Sequence, residues 1–118
     1  MQEYLLLVHT EGDHLSSFSA EEQQQHVQRM GKYIENLMKT GKIKGAQPLE
    51  IGGLIITGKK GKIKDGPFTE TKEVIVGYFH ILANDLAEAT EIAKANPILF
   101  DAVAKIEVRP IKSLKGIN

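Results

Sequence analysis

The sequence predicts an α+β fold, with one antiparallel sheet and two helices packed on a single face, and three observations carry that prediction. Strand-like apolar runs open and close the chain, at residues 4–9 ("YLLLVH") and 105–111 ("KIEVRPI"), and a longer β-prone run fills residues 73–83. Two stretches with helical spacing separate these runs, each introduced by a capping-box pattern: Ser19 with Glu22, and Asp85 with Glu88. Glycine-rich turn signals between residues 52 and 66 place a hairpin in the middle of the chain.

Taken in order, residues 4–9 are apolar at odd and even positions alike, which is the pattern of a central strand buried on both faces. The first helix spans about residues 19–40, with Val27, Met30, Ile34, Leu37 and Met38 on its inner stripe and Gly41 as its stop. "KIKGAQPLE" reads as a short strand, and "GLIITGKKGKIKDG" as a hairpin turning around residues 58–61. In the third long strand, strict alternation puts Val74, Val76, Tyr78 and Leu82 on one face and Ile75, Phe79 and Ile81 on the other. The second helix places Leu86, Ala89 and Ala93 inward and ends before Pro97. The resulting order, β-α-β-β-α-β, is the ferredoxin-like arrangement. Its helices cover only one face, so strands apolar on both sides predict a homodimer that buries the other face in a barrel-like centre.

Composition narrows the function classes. The chain has 118 residues, a single-domain length, and 15 Lys+Arg balance 15 Asp+Glu, leaving no global field for nucleic acid or an acidic membrane. The absence of cysteine excludes disulfides and Cys-based metal or redox sites, and fits a cytoplasmic location. No apolar window approaches membrane-spanning length, and the N-terminal apolar run is too short for a signal peptide. No two histidines stand at the i, i+4 spacing of a helical metal site, and no cofactor is expected.

The stretch "DGPFTETKEVIVGYFHI", with "YLLLVH" before it and "IEVRP" after it, resembles the DGPF subgroup of the YCII-related proteins over nearly the whole chain. Asp65-Gly66-Pro67-Phe68, Thr71-Lys72-Glu73 and Gly77-Tyr78 all stand in that family's order. The resemblance implies a dimeric α+β barrel, mostly bacterial, in a family of no settled biochemical function. It also implies enzymatic character through a His on the first helix and an Asp near the end of the second, and some relatives are fused to sigma-factor domains. The sequence departs from that pattern. Asn96 stands where the Asp is expected, and Met30 about where the His would lie, with His26 one turn earlier, so no such His–Asp pair is expected.

Candidate chemistry gathers at two places. His26, at the edge of the first helix's apolar stripe, reads first as an ordinary boundary histidine, and its position also suits a pocket wall and a general base. Asp65 is either a second acid/base group or merely the turn residue of Asp-Gly-Pro. Lys72 is in phase with Val74 and Val76 and so needs Asp65, Glu70 or an anionic ligand as its partner. The expected pocket lies between sheet and first helix, with His26 and Asp65 catalytic and Tyr33, Phe68, Glu70 and Lys72 contacting a small organic anion. Metal-free, cofactor-free proton transfer, isomerisation or oxidation fits that set. The alternative is a non-enzymatic ligand sensor or interaction module linked to transcription.

Two motifs are set aside. "GLIITGKK" spells G-x-x-x-x-G-K, but Lys60 stands where a phosphate-binding loop needs Ser or Thr, and no helix follows. "HTEGDH" offers His9, Glu11, Asp13 and His14 as ligands without a fixed geometry. The lysines between residues 39 and 64 lack the interleaved aromatics of a single-strand nucleic-acid binder and read as a protected hairpin edge.

Overall fold

The computed structural model describes residues 1–67 and 73–118. The chain runs β1 (Gln2–Thr10), α1 (Ala20–Lys39), β2 (Ile43–Pro48), β3 (Leu54–Lys59), β4 (Lys62–Pro67), β5 (Val74–Ala83), α2 (Leu86–Lys94), α3 (Ile98–Asp101) and β6 (Ala104–Pro110). A 3-10 turn, His14–Ser17, precedes α1. The main sheet has the order β2-β5-β1-β6, antiparallel at every pairing, while β3 and β4 form a separate two-stranded sheet. This is the ferredoxin-like α+β fold the sequence predicts, with the hairpin inserted between its second and third sheet strands.

Helix α1 starts where its capping box directs. Ser19 Oγ accepts from Glu22 N–H at 3.1 Å, and Glu22 Oε1 accepts from Ser19 N–H at 3.0 Å, pairing two donors that the first turn would leave unmet. The second box forms only by half. Asp85 caps Glu88 N–H, but the Glu88 carboxylate turns to Asn84 N–H and Lys42 Nζ instead of Asp85 N–H. Leu86, expected inside, is exposed, and Ala89 and Ala93 alone form the buried face of α2. Where the sequence predicts a stop at Pro97, that residue instead caps an extra helical turn, α3.

The core lies between the helices and one sheet face. Tyr4, Leu6, Val8 and Thr10 of β1 are buried there with Val74, Val76, Phe79, Ile81 and Ala83 of β5, and Tyr33 and Leu37 of α1 close it from above. The β5 residues break the expected alternation, and the register shows why. Val8 pairs with Gly77 and His9 with Ile75, so Val76 is an extra residue, a β-bulge. The bulge shifts the phase by one. Val74 and Val76 therefore share the helix-facing side with Phe79 and Ile81, and the other face carries Ile75, Tyr78, His80 and Leu82.

Gly77 sits in that bulge against the edge strand. A Cβ built on it would lie 3.0 Å from the carbonyl oxygen of Gln47. Gly77→Ala should therefore lower stability by about 1–3 kcal/mol, as overpacking does in a filled interior. Urea denaturation checks this, and an unchanged midpoint would contradict the close β2–β5 approach.

Candidate functional site: a histidine held by a carboxylate beside an apolar cavity

Helix α1 turns His26, Met30, Tyr33, Ile34 and Leu37 toward the sheet, a stripe spaced i, i+4, i+7, i+8, i+11. His26 thus belongs to the buried stripe itself and is only 5% exposed, whereas Val27 and Met38, expected inside, are 62% and 66% exposed. The large ring of Tyr33 accounts for the rotation. It packs edge-on against Phe79, with ring centroids 5.7 Å apart.

Two segments from outside α1 complete the surroundings of His26. The first is the 3-10 turn, capped by Asp13 on Leu15 N–H and tied to α1 by Gln23 Nε2 donating to Leu15 O at 2.8 Å. It lays His14 and Phe18 edge-on against the His26 ring, each at a centroid distance of 5.5 Å. The second is α3. Asn96 Oδ1 accepts from Ile98 N–H at 3.0 Å, and Asp101 N–H donates to Pro97 O at 3.0 Å, so this short turn holds Asp101 firmly at its end.

Asp101 is the hub. His26 Nδ1 lies 2.6 Å from Oδ2, and Arg29 grips the same carboxylate twice, through Nε at 3.1 Å and Nη2 at 2.9 Å. Burial of Asp101 works to raise its pKa, but hydrogen bonds from His26 and Arg29 and the Arg29 charge together outweigh it and hold the carboxyl below its ordinary value. An ionised carboxylate only accepts, so Nδ1 carries the proton toward it and Nε2 is the ring nitrogen left for other chemistry.

A cavity of about 320 Å³ opens beside this pair, between α1 and the sheet. Its walls are largely hydrocarbon, from Val8, Met30, Ile34, Val76 and Ile98, with His14, His26, Gln47 and Asn96 as polar members. Among the described residues, no lysine or arginine lines it. The His14 Nδ1 and Asn96 Nδ2 atoms are buried without a hydrogen-bond partner among the described residues. Burial, then repulsion from His26, pushes the His14 pKa down, with Asp13 pulling weakly the other way.

The predicted site residues divide accordingly. His26 is in the cavity wall. Asp65 is not brought to it: it lies exposed on β4 opposite Ile56, in the separate hairpin. Tyr33 is a core residue whose hydroxyl donates to Ile92 O at 2.6 Å, satisfying one of the last carbonyls of α2, and burial raises its pKa. Phe68, Glu70 and Lys72 lie outside the described residues. The expectation that the chain lacks a His–Asp pair is overturned by the 2.6 Å contact of His26 and Asp101, which are 75 residues apart. The readable signal was His26 with Arg29, i and i+3 on one helix face, and a Pro-led turn ending in Asp101. The "HTEGDH" side chains disperse: His9 bonds Glu107, Asp13 caps the 3-10 turn, and His14 joins the cavity. Among the described residues, no three His, Asp or Glu side chains gather to hold a metal ion.

Fold and site thus define a ferredoxin-like α+β domain whose first helix holds a carboxylate-anchored histidine over an apolar cavity. The chain belongs to the YCII-related family: the family model for the YCII-related domain matches residues 2–115. No curated protein matches it. Among the described residues, no helix is long and apolar enough to cross a membrane.

The depressed pKa of Asp101 sets a pH dependence. A carboxylate whose folded pKa lies below its unfolded value of about 3.8 contributes stability that is present above that value and lost as pH falls through the folded one. Asp101→Asn should abolish this contribution. Urea unfolding at pH 7 and pH 3 should show the wild type losing more stability between the two than the variant, and equal losses would remove Asp101 from the acid response.

Proposed function

We propose that the protein binds a small organic molecule in the cavity under α1 and carries out cofactor-free acid–base chemistry on it. The observation that supports this reading most is the placing of His26: Nδ1 is anchored by an ionised Asp101, and the ring lines a cavity of about 320 Å³. This arrangement fixes the orientation and tautomer of the imidazole and leaves Nε2 as the nitrogen that can take a proton, which is what a general base requires. The walls favour a mostly apolar ligand with few polar atoms over the anion suggested by Lys72, since no cation lines the described part of the cavity. A defined cavity beside a buried titratable pair also supports a ligand site over a purely protein-interacting module.

The reading includes a homodimer. The sheet face away from the helices carries Leu5, Leu7, Tyr78 and Leu82, all half-buried, with exposed Ile75. Polar members of this face are already paired: His9 with Glu107 at 2.6 Å, and Glu3 with His80 at 2.7 Å and Lys44 at 3.1 Å. Pairing lowers the penalty of taking such groups out of water, so the face is suited to burial against a second copy.

Both parts are testable. A panel of apolar molecules of up to about a dozen heavy atoms, within what such pockets accept, should include binders that shift the His26 ring and Met30 methyl resonances. Met30→Trp should fill the cavity and abolish the His26 shift, and a panel that moves neither wild-type signal would refute the ligand site. Light scattering should give a dimer at micromolar concentration, with Leu7→Arg, at the centre of the open face, driving it to monomer. A monomeric wild type would refute the assembly, which needs at least about 1,200 Å² of buried surface.

A further inference from the structure

Asn96 lies at the cavity wall with no exposure at all. Its Oδ1 is committed to Ile98 N–H, and this bond decides which end of the amide is which, leaving Nδ2 on the other side. Nδ2 has no acceptor among the described residues. A buried donor without an acceptor is costly in a native fold and requires a cause. Its place in the lining of the same cavity as His26 supplies one.

We propose that the cavity takes a neutral, largely apolar carbonyl compound, whose oxygen accepts from Asn96 Nδ2 and whose neighbouring carbon gives up a proton to His26 Nε2. The inference rests on the reading of the cavity as a ligand site. An amide nitrogen only donates, so the matching ligand atom is an acceptor. Hydrocarbon walls demand that the rest of the molecule be apolar, and the lack of a lysine or arginine in the described lining disfavours a carboxylate, which would be buried without a counter-charge. His14 adds no such charge, because burial and the neighbouring His26 favour its neutral form. A carbonyl satisfies all of these conditions.

The chemistry balances without a further reactant. The C–H bond beside the carbonyl breaks and its proton moves to His26 Nε2. The bond pair forms a carbon–carbon double bond as the carbonyl π pair moves onto oxygen. Asn96 N–H holds the resulting oxyanion, and Asp101 balances the imidazolium. Returning the proton to the same carbon restores the ketone, and returning it to another carbon of a conjugated enolate isomerises it.

Cyclohexanone and its hydrocarbon counterpart methylenecyclohexane separate the outcomes in an NMR titration. Wild-type protein should bind the ketone about fivefold more tightly, the gain of one net hydrogen bond, and the Asn96 side-chain NH2 resonances should move with the ketone alone. Asn96→Ser keeps a hydroxyl able to cap Ile98 N–H while removing the amide donor, and should bind both probes equally. In D2O the hydrogens beside the carbonyl should exchange faster with wild type than with His26→Ala. Equal wild-type affinity for the two probes, or Asn96 signals unmoved by bound ketone, overturns the inference and leaves the ligand site standing. Exchange no faster than with His26→Ala also overturns it. Binding of neither probe overturns the inference together with the ligand site it rests on.

Discussion

One extra residue in β5 sets the arrangement of the sheet and of the space above it. With Val76 and Gly77 both opposite Val8, the strand presents Val74 and Val76 to the helices at one end and Phe79, Ile81 and Ala83 at the other. A regular strand would send one of these groups to the open face, since the side-chain period is two. The bulge keeps both inside. It also brings a residue without a side chain to the place where β2 approaches most closely, so Val76, Gly77, Ala46 and Pro48 make a low wall instead of a filled layer. The cavity lies above this wall, and a local kink in one strand is thus the physical origin of the candidate site.

The opposite wall depends on a short piece of chain. Between α2 and β6 there are few residues, and Asn96, Pro97 and α3 use them to carry Asp101 back under α1. Asp101 then meets two side chains from one helix face, His26 and Arg29. The bidentate arginine limits how the carboxylate can turn, which in turn fixes the imidazole. Arg29 is half exposed, and its worth lies in this geometry more than in a surface ion pair's small free energy.

What the sequence made legible follows from the range of the interactions involved. The Ser19–Glu22 box, the Gly41 stop and the glycine turn of the hairpin act within a few residues, and each was readable. The sheet order followed from element order and short connections. The bulge was not readable, because it depends on pairing with a strand about seventy residues away. A strict alternation rule therefore assigned Phe79 and Ile81 to the wrong face relative to Val74. His26 is legible as a chemical group, but sequence spacing puts it at the stripe's edge, whereas with Tyr33 packed on Phe79 it lies within the buried stripe. Asp101 is not legible as a site residue, because a proline after a helix reads as its end, whereas Pro97 caps a new turn. Asp65 drew attention through its motif, yet its neighbours in space belong to the hairpin.

Two features that weaken a fold occur together here and nowhere else in the described core. Empty volume forfeits dispersion contacts, and unpaired buried polar atoms forfeit hydrogen bonds. The buried side-chain polar atoms lacking a partner among the described residues, His14 Nδ1 and Asn96 Nδ2, both belong to residues lining the cavity. Elsewhere the described core is mostly apolar, and Tyr4, Leu6 and Ile81 are essentially without exposure. A domain of this length has only about 5–15 kcal/mol of net stability, so concentrating such costs at one place is a poor solution for folding alone. Departures from local consistency in an otherwise consistent structure tend to mark functional positions. That these departures surround the one histidine anchored by Asp101 is the physical reason for reading the space under α1 as a site and not as imperfect packing.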